Sequence, residues 1–84
     1  MNTIWFLYVI ECADGSLYTG IALDPEARFQ LHLAGKGARY TRSHPPLRLL
    51  MTQAHPDRSS ALKAEYQFKQ LPVAEKRRLV ACET

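Results

Sequence analysis

Two tyrosines, Tyr8 and Tyr18, stand ten residues apart near the start of the chain. A phenol can orient a water or take its proton, but an unperturbed pKa near ~10 makes it a weak base at neutral pH unless its surroundings favour the ionised form. Tyrosines in strands are also ordinary packing residues, so the pair needs company before it means chemistry. Arg28 and His32, four apart, share one helical face. An arginine there can grip a phosphate with its planar fork, and an imidazole can hydrogen-bond or relay a proton; the same two residues also suit a plain polar helix flank. Glu65 falls inside the apolar arc of a later helix: on a wheel from Ala61, Phe68, Ala64 and Leu71 lie to one side and Leu62 and Tyr66 to the other. A carboxylate facing a core needs a proton, a cation or a partner. Two readings of it stand together. One is an ion pair with Lys69 one turn on, worth ~0.3–0.5 kcal/mol; the other is a ligand for Mg²⁺, which takes one or two protein carboxylates and completes its shell with water and phosphate oxygen.

Charge is distributed unevenly. The net charge of +3 is modest, yet no acidic residue occurs between Glu26 and Asp57, a stretch that carries Arg28, Lys36, Arg39, Arg42, Arg48 and all three histidines, His32, His44 and His55. Such a patch is what a polyphosphate partner needs, although charge alone fits a solvated surface equally well. An apolar fraction of 46% with 23% charged residues is that of an ordinary globular protein and sets aside disordered and fibrous classes. The longest apolar run, Ile4 to Ile10, is far too short to cross a bilayer, and no basic segment precedes it as in a secretory signal; the expected location is the cytoplasm, without a membrane partner. Cys12 and Cys82 lack the spacing of a thiolate metal site, and free thiols are expected. Nothing resembles a dimerisation seam.

These side chains must be positioned by a single small domain spanning residues 1–84. Ile4 to Ile10 reads as a strand covered on both faces, and Ser16 to Ile21 as its hairpin partner. The connection decides whether the tyrosines can cooperate. A two-residue Asp14-Gly15 turn sets Tyr18 opposite Glu11 and sends the tyrosines to opposite faces; a three-residue Ala13-Asp14-Gly15 loop with a left-handed Gly15 sets Tyr18 opposite Ile10, diagonal to Tyr8 on one face. Both loops fit the local sequence, and a shared face is the expectation. Asp24 and Pro25 cap and start a helix that stops at Gly35, with Ala27, Leu31 and Ala34 as its buried stripe. Residues 35–46 read as a loop, Leu47 to Met51 as a third strand, Asp57 to about Leu71 as a second helix, and Val73 to about Ala81 as a third after Pro72. The class is α+β: a mostly antiparallel three-stranded sheet flanked by three helices, in the order β-β-α-β-α-α.

Taken together, these features resemble the GIY-YIG nuclease superfamily, in particular its small stand-alone bacterial members, over nearly the whole chain. Phe6-Leu7-Tyr8 stands for the first half of the signature and Tyr18-Thr19-Gly20 for the second, followed by Arg28 and His32 on one helix, the loop Gly35-Lys36-Gly37-Ala38-Arg39-Tyr40-Thr41, and Glu65. The resemblance implies an endonuclease that hydrolyses DNA phosphodiesters with one Mg²⁺ or Mn²⁺ held by Glu65. It makes Tyr18 the group that deprotonates or orients the attacking water, Tyr8 its support, Arg28 the stabiliser of the transition-state phosphate, and His32 a positioning group. Lys36, Arg39, Tyr40 and Arg42 would contact the nucleic acid, the basic side chains at phosphates and the ring by stacking. The DNA substrate could be single-stranded or branched. The chain departs from the pattern in having Phe6 where a glycine is usual, no lysine after Gly20, and Asn2 as its sole asparagine. The competing reading is a nucleic-acid-binding module on the same scaffold that does not cut; a protein-interaction domain with a basic loop ranks behind both.

Overall fold

The aromatic and β-branched run from Trp5 to Cys12 forms β1, the central strand of the sheet in the computed structural model, which describes residues 3–83 and, of residues 82 and 83, the backbone alone. Asn2 and the thiol of Cys82 lie outside what is described. β2 (Leu17–Ala22) and β3 (Pro46–His55) pair antiparallel with β1 on either side, giving the order β2-β1-β3. Leu7, Tyr8, Val9 and Ile10 are all buried because helices cover both faces of the central strand. That is what an unbroken apolar run requires.

The hairpin closes through the three-residue loop. Gly15 is left-handed at φ +86°, the Cys12 N–H donates to Ser16 O at 2.8 Å, and the Gly15 N–H donates to Cys12 O at 2.9 Å. Asp14 Oδ1 accepts from the Ser16 N–H at 3.0 Å, which fixes the turn locally. The register that follows pairs Ile10 with Tyr18 and Tyr8 with Gly20. Both tyrosines therefore share one face of the sheet, as expected.

α1 (Pro25–Leu33) starts where the capping residues place it, with Asp24 Oδ1 accepting from the Ala27 N–H at 3.1 Å, and the chain turns away at Gly35, φ +76°. Its inward face is not the expected stripe. Ala27, Leu31 and Ala34 are exposed, and Pro25, Phe29 and His32, spaced four and three, face the sheet instead. The apolar count missed this face because its most buried member is a histidine whose polar atoms all find partners. The flanking helices number four rather than three, since the 35–46 segment contains a one-turn helix, α2 (Arg39–Ser43). α3 (Arg58–Lys69) is capped by Asp57, whose Oδ1 accepts from the Ser60 N–H at 2.7 Å, and α4 (Val73–Glu83) follows Pro72.

One core lies between the sheet and α3 with α4, formed by Leu7, Val9, Met51, Phe68 and Val80. The other lies under α1, where Phe29 packs against Tyr8, Ile10, Cys12 and Ala22. The end of the sheet is tied down by charge. Glu11 accepts from Arg48 Nε at 2.8 Å across the strand pair and from Arg77 Nη1 of α4 at 3.0 Å, and Arg77 also donates to the Gly15 carbonyl. These two guanidiniums, Arg77 foremost, hold the Glu11 carboxyl below the usual carboxylate range. A depressed pKa contributes stability that is present above ~pH 4.3 and lost as the pH falls through the lower folded-state value. Glu11→Gln is therefore expected to lower the melting temperature near neutrality and to flatten its fall in acid. Equal acid slopes for wild type and variant in melts across pH 2.5–7 would contradict the assignment.

Candidate active site

Gly20 sits opposite Tyr8 in the edge strand β2, and the lack of a side chain there is what lets the Tyr8 ring lie flat across the strand. A Cβ at Gly20 would stand 2.6 Å from Tyr8 Oη and 2.8 Å from Cζ, closer than real contacts allow. Across this edge opens a cleft of about 440 Å³ whose walls include Tyr8, Tyr18, Arg28, His32, Lys36 and Glu65. Arg28 and His32 come from the α1 side of the sheet and Glu65 from α3 on the other. The five residues picked out in the sequence as chemical thus meet in one place.

The rings of Tyr8, Tyr18 and His32 form a cluster, with centroids 6.3 Å apart for the tyrosines and 5.1 Å for Tyr18 with His32. Tyr8 Oη and His32 Nε2 are hydrogen-bonded at 3.0 Å in a buried setting. The cleft side chain that His32 bonds is therefore Tyr8. Burial pushes the Tyr8 phenol up to about 12, with the Tyr18 and Glu65 charges adding to the rise and Arg28 opposing it. Tyr18 is raised too, by burial first and by Glu65 second, again against Arg28. Burial first, and Arg28 second, lower the His32 imidazole below its ordinary range. Arg28 alone does not make either phenol a base.

Glu65 lies at the rim, its side chain one-fifth exposed, with Oε2 3.7 Å from Lys69 Nζ. Leu62 and Tyr66 are exposed, so the buried arc of α3 is narrower than the wheel implied and Glu65 marks its cleft-side border. The ion pair and the cleft position both exist. Arg58, one face-repeat before Glu65 on the same helix, also lines the cleft and lies over the Trp5 ring at 5.6 Å. Its place on the Arg58-Leu62-Glu65 face was readable from the i, i+4, i+7 spacing.

The basic loop divides into two sets. Lys36 reaches the cleft wall, and Tyr40 stacks on Tyr18 at 5.9 Å and on His44 at 4.0 Å, while His44 faces Asp14 at 3.8 Å. Arg39 and Arg42 are exposed on α2 and do not form part of the cleft wall. Among the described residues no three His, Cys, Asp or Glu side chains gather into a metal cluster. The donor set at the cleft is one carboxylate, Glu65, with two phenols and the already bonded His32, and the basic Arg28, Lys36 and Arg58 line the same walls, where they would face a bound phosphate. That donor set suits a hard, largely hydrated cation and not a multi-ligand nitrogen or sulfur centre.

The sequence matches the family described as the GIY-YIG catalytic domain over residues 4–78. It is 53% identical over 72 residues to a UPF0213 protein of Xanthomonas campestris, covering 86% of this chain and 71% of that one. It is 52% identical over 79 residues to the UPF0213 protein YhbQ of Escherichia coli K12, covering 94% and 79%. The solution NMR structure of the UPF0213 protein BH0048 from Bacillus halodurans superposes with a TM-score of 0.62 at 41% identity, over 95% of this chain and 85% of that one. The solution NMR structure of EF2693 from E. faecalis gives 0.59 at 36% identity, over 94% and 88%. With the signature tyrosines on one face and the fold shared with these relatives, the chain belongs to the GIY-YIG family of nuclease-type catalytic domains.

Proposed function

We propose that the protein is a divalent-cation-dependent DNA endonuclease, with residues 1–84 acting as one catalytic unit. The observation that carries this reading is the convergence of Tyr8, Tyr18, Arg28, His32 and Glu65 on a single 440 Å³ cleft from both sides of the sheet. Tyr18, half-buried and facing the opening, orients the attacking water and accepts its proton. Tyr8, fully buried behind it, supports Tyr18 and is itself held by His32. Arg28 binds the scissile phosphate and stabilises the charge that grows on its oxygens. Glu65 would hold Mg²⁺ or Mn²⁺ together with water and substrate oxygens, and such an ion supplies charge neutralisation at the phosphate and leaving group.

The raised phenols support a division of labour. Glu65 raises both tyrosines, so an occupant that neutralises Glu65 also removes one obstacle to ionising Tyr18. Lys36 at the cleft wall and Arg39 and Arg42 beyond it contact backbone phosphates, and Tyr40, stacked on Tyr18, offers a ring to a base.

The test is cleavage of single-stranded, duplex and branched DNA, each with and without Mg²⁺ or Mn²⁺. Metal-dependent nicks are expected from the wild type and a loss of at least ~100-fold in Tyr18→Phe, the range for removing a positioned acid–base group. Binding without nicks in every condition would overturn the nuclease reading in favour of a binding module.

A further inference from the structure

The Gly35 to Thr41 loop reads outward as a basic surface, but its inward side is built around one imidazole. Gly37 presses its backbone against the His32 ring so closely that a Cβ there would lie 2.2 Å from Nδ1. Thr41, buried at 2% exposure on α2, puts Oγ1 2.7 Å from Nδ1, and the same hydroxyl lies 3.0 Å from the Ala38 carbonyl, to which it donates. The Ala38 N–H also points its proton at Nδ1 as a donor, at a longer 3.4 Å. No buried polar side-chain atom among the described residues is left without a partner.

The proton positions follow from counting. Thr41 has one hydroxyl proton. If it goes to the Ala38 carbonyl, Nδ1 must carry the ring proton and donate to Oγ1, which leaves Nε2 bare to accept from the Tyr8 hydroxyl. If it goes to Nδ1, two oxygens 3.0 Å apart face each other with no proton between them, and Nε2–H displaces the Tyr8 proton into the cleft. The first arrangement keeps the three contacts of 3.0 Å or less and gives up the 3.4 Å bond from the Ala38 N–H, which then meets a protonated Nδ1. The second keeps that long bond and gives up the shorter one, leaving the Thr41 and Ala38 oxygens in unrelieved contact at 3.0 Å.

We infer that Thr41 is a positioning residue of the site: by accepting from Nδ1–H it holds His32 in the tautomer whose Nε2 takes the Tyr8 proton, so that the Tyr8 oxygen turns its lone pairs toward Tyr18. This rests on the nuclease reading for its kinetic consequence and on geometry alone for the tautomer. It also gives α2 a second task. The turn that displays Arg39, Tyr40 and Arg42 to solvent is the turn that sets His32, because Thr41 lies on its opposite face.

The experiment reads both levels. Long-range ¹H–¹⁵N correlation of the His32 ring in the DNA-free protein at neutral pH is expected to show a protonated Nδ1 and an unprotonated Nε2 in wild type and in Thr41→Ser. In Thr41→Val, it is expected to show a shift toward the Nε2–H tautomer. Cleavage of a labelled oligonucleotide by Thr41→Val should lose roughly 10- to 100-fold in kcat, as when the orienting partner of a working histidine is removed, with KM little changed and activity restored in Thr41→Ser. A wild-type ring protonated at Nε2 overturns the proposal without any variant, which covers the case in which Thr41→Val does not fold. A Thr41→Val protein that keeps both the wild-type tautomer and wild-type kcat overturns it as well. Because the tautomer is read without substrate, a protein that cuts no DNA refutes the nuclease reading and still leaves the role of Thr41 decided by the spectrum.

Discussion

Glu65→Gln is expected to leave the fold standing and to abolish DNA cleavage. The structural contribution of the carboxylate is small: its ion pair is at 3.7 Å with a half-exposed Lys69 one turn away, a geometry worth ~0.3–0.5 kcal/mol, or about 1–4 °C in melting temperature for a domain of this size. The catalytic contribution that the proposed nuclease role assigns to it is of another order. A carboxylate that recruits the only cation of a phosphoryl-transfer site underlies several kcal/mol of transition-state stabilisation, so a loss of at least ~10³-fold is expected at ~1.4 kcal/mol per decade. The electrostatics sharpen this test, because Glu65 raises both phenols. Replacing it with an amide makes Tyr18 easier to ionise, which taken alone would speed proton transfer. A large loss therefore cannot arise through the tyrosines and must reflect what Glu65 itself holds. Lys69→Met is the control, since a purely structural Glu65 would make the two variants alike. Cleavage by Glu65→Gln within tenfold of wild type would sink the metal-ligand assignment. The measurements are nicking rates in Mg²⁺ and thermal melts of all three proteins.

How much of this arrangement could be read from residues alone varies with the kind of signal. The caps at Asp24 and Asp57 are local chemistry, one side chain satisfying a nearby N–H, and they place α1 and α3 correctly. The hairpin was legible only as a choice. Ile4 to Ile10 is apolar on both faces, so alternation carries no register information, and the loop that puts Tyr18 opposite Ile10 is the one that sends Tyr18 and Ala22 of β2 to the core under α1 and Leu17 and Ile21 to the opposite core. That is a tertiary fact.

α1 shows the reverse failure. Periodicity counts hydrophobicity, and by that count Ala27, Leu31 and Ala34 make the inner stripe. The real inner face holds His32, which enters the core at little cost because Tyr8 and Thr41 satisfy both of its nitrogens. A reading that scores histidine as polar cannot find it. Thr41 was hidden for a related reason. It lies in a one-turn helix too short for any periodic signal, inside a stretch whose basic residues point attention outward. The chemical constellation itself was largely visible because it depends on residue types and order. The shell that orients it was not, because it depends on backbone approach.

Backbone approach can be tested directly at Gly20. Neither a positive φ nor a turn requires glycine here, since among the described glycines only Gly15 and Gly35 are left-handed. In a strand, replacing glycine by alanine should on backbone entropy alone stabilise by ~0.5–1 kcal/mol. The collision reverses that sign. A Cβ would fall 2.6 Å from Tyr8 Oη, 2.8 Å from Cζ and 3.1 Å from Cε2, and Tyr8 cannot give way freely, being buried and bonded to His32. Either β2 bows out of its pairing with β1 or the Tyr8 ring leaves its hydrogen bond. Gly20→Ala is therefore expected to destabilise by ~1–3 kcal/mol, the range for overpacking a filled site, and to lose most cleavage with it. A double-mutant cycle identifies the cause. In a Tyr8→Leu background the ring is gone, and the same Gly20→Ala change should become neutral or mildly stabilising, leaving a coupling energy of ~1–3 kcal/mol between the two positions. If Gly20→Ala costs as much in the Tyr8→Leu background as beside the native tyrosine, the requirement for glycine comes from the backbone of β2 and not from the ring lying across it.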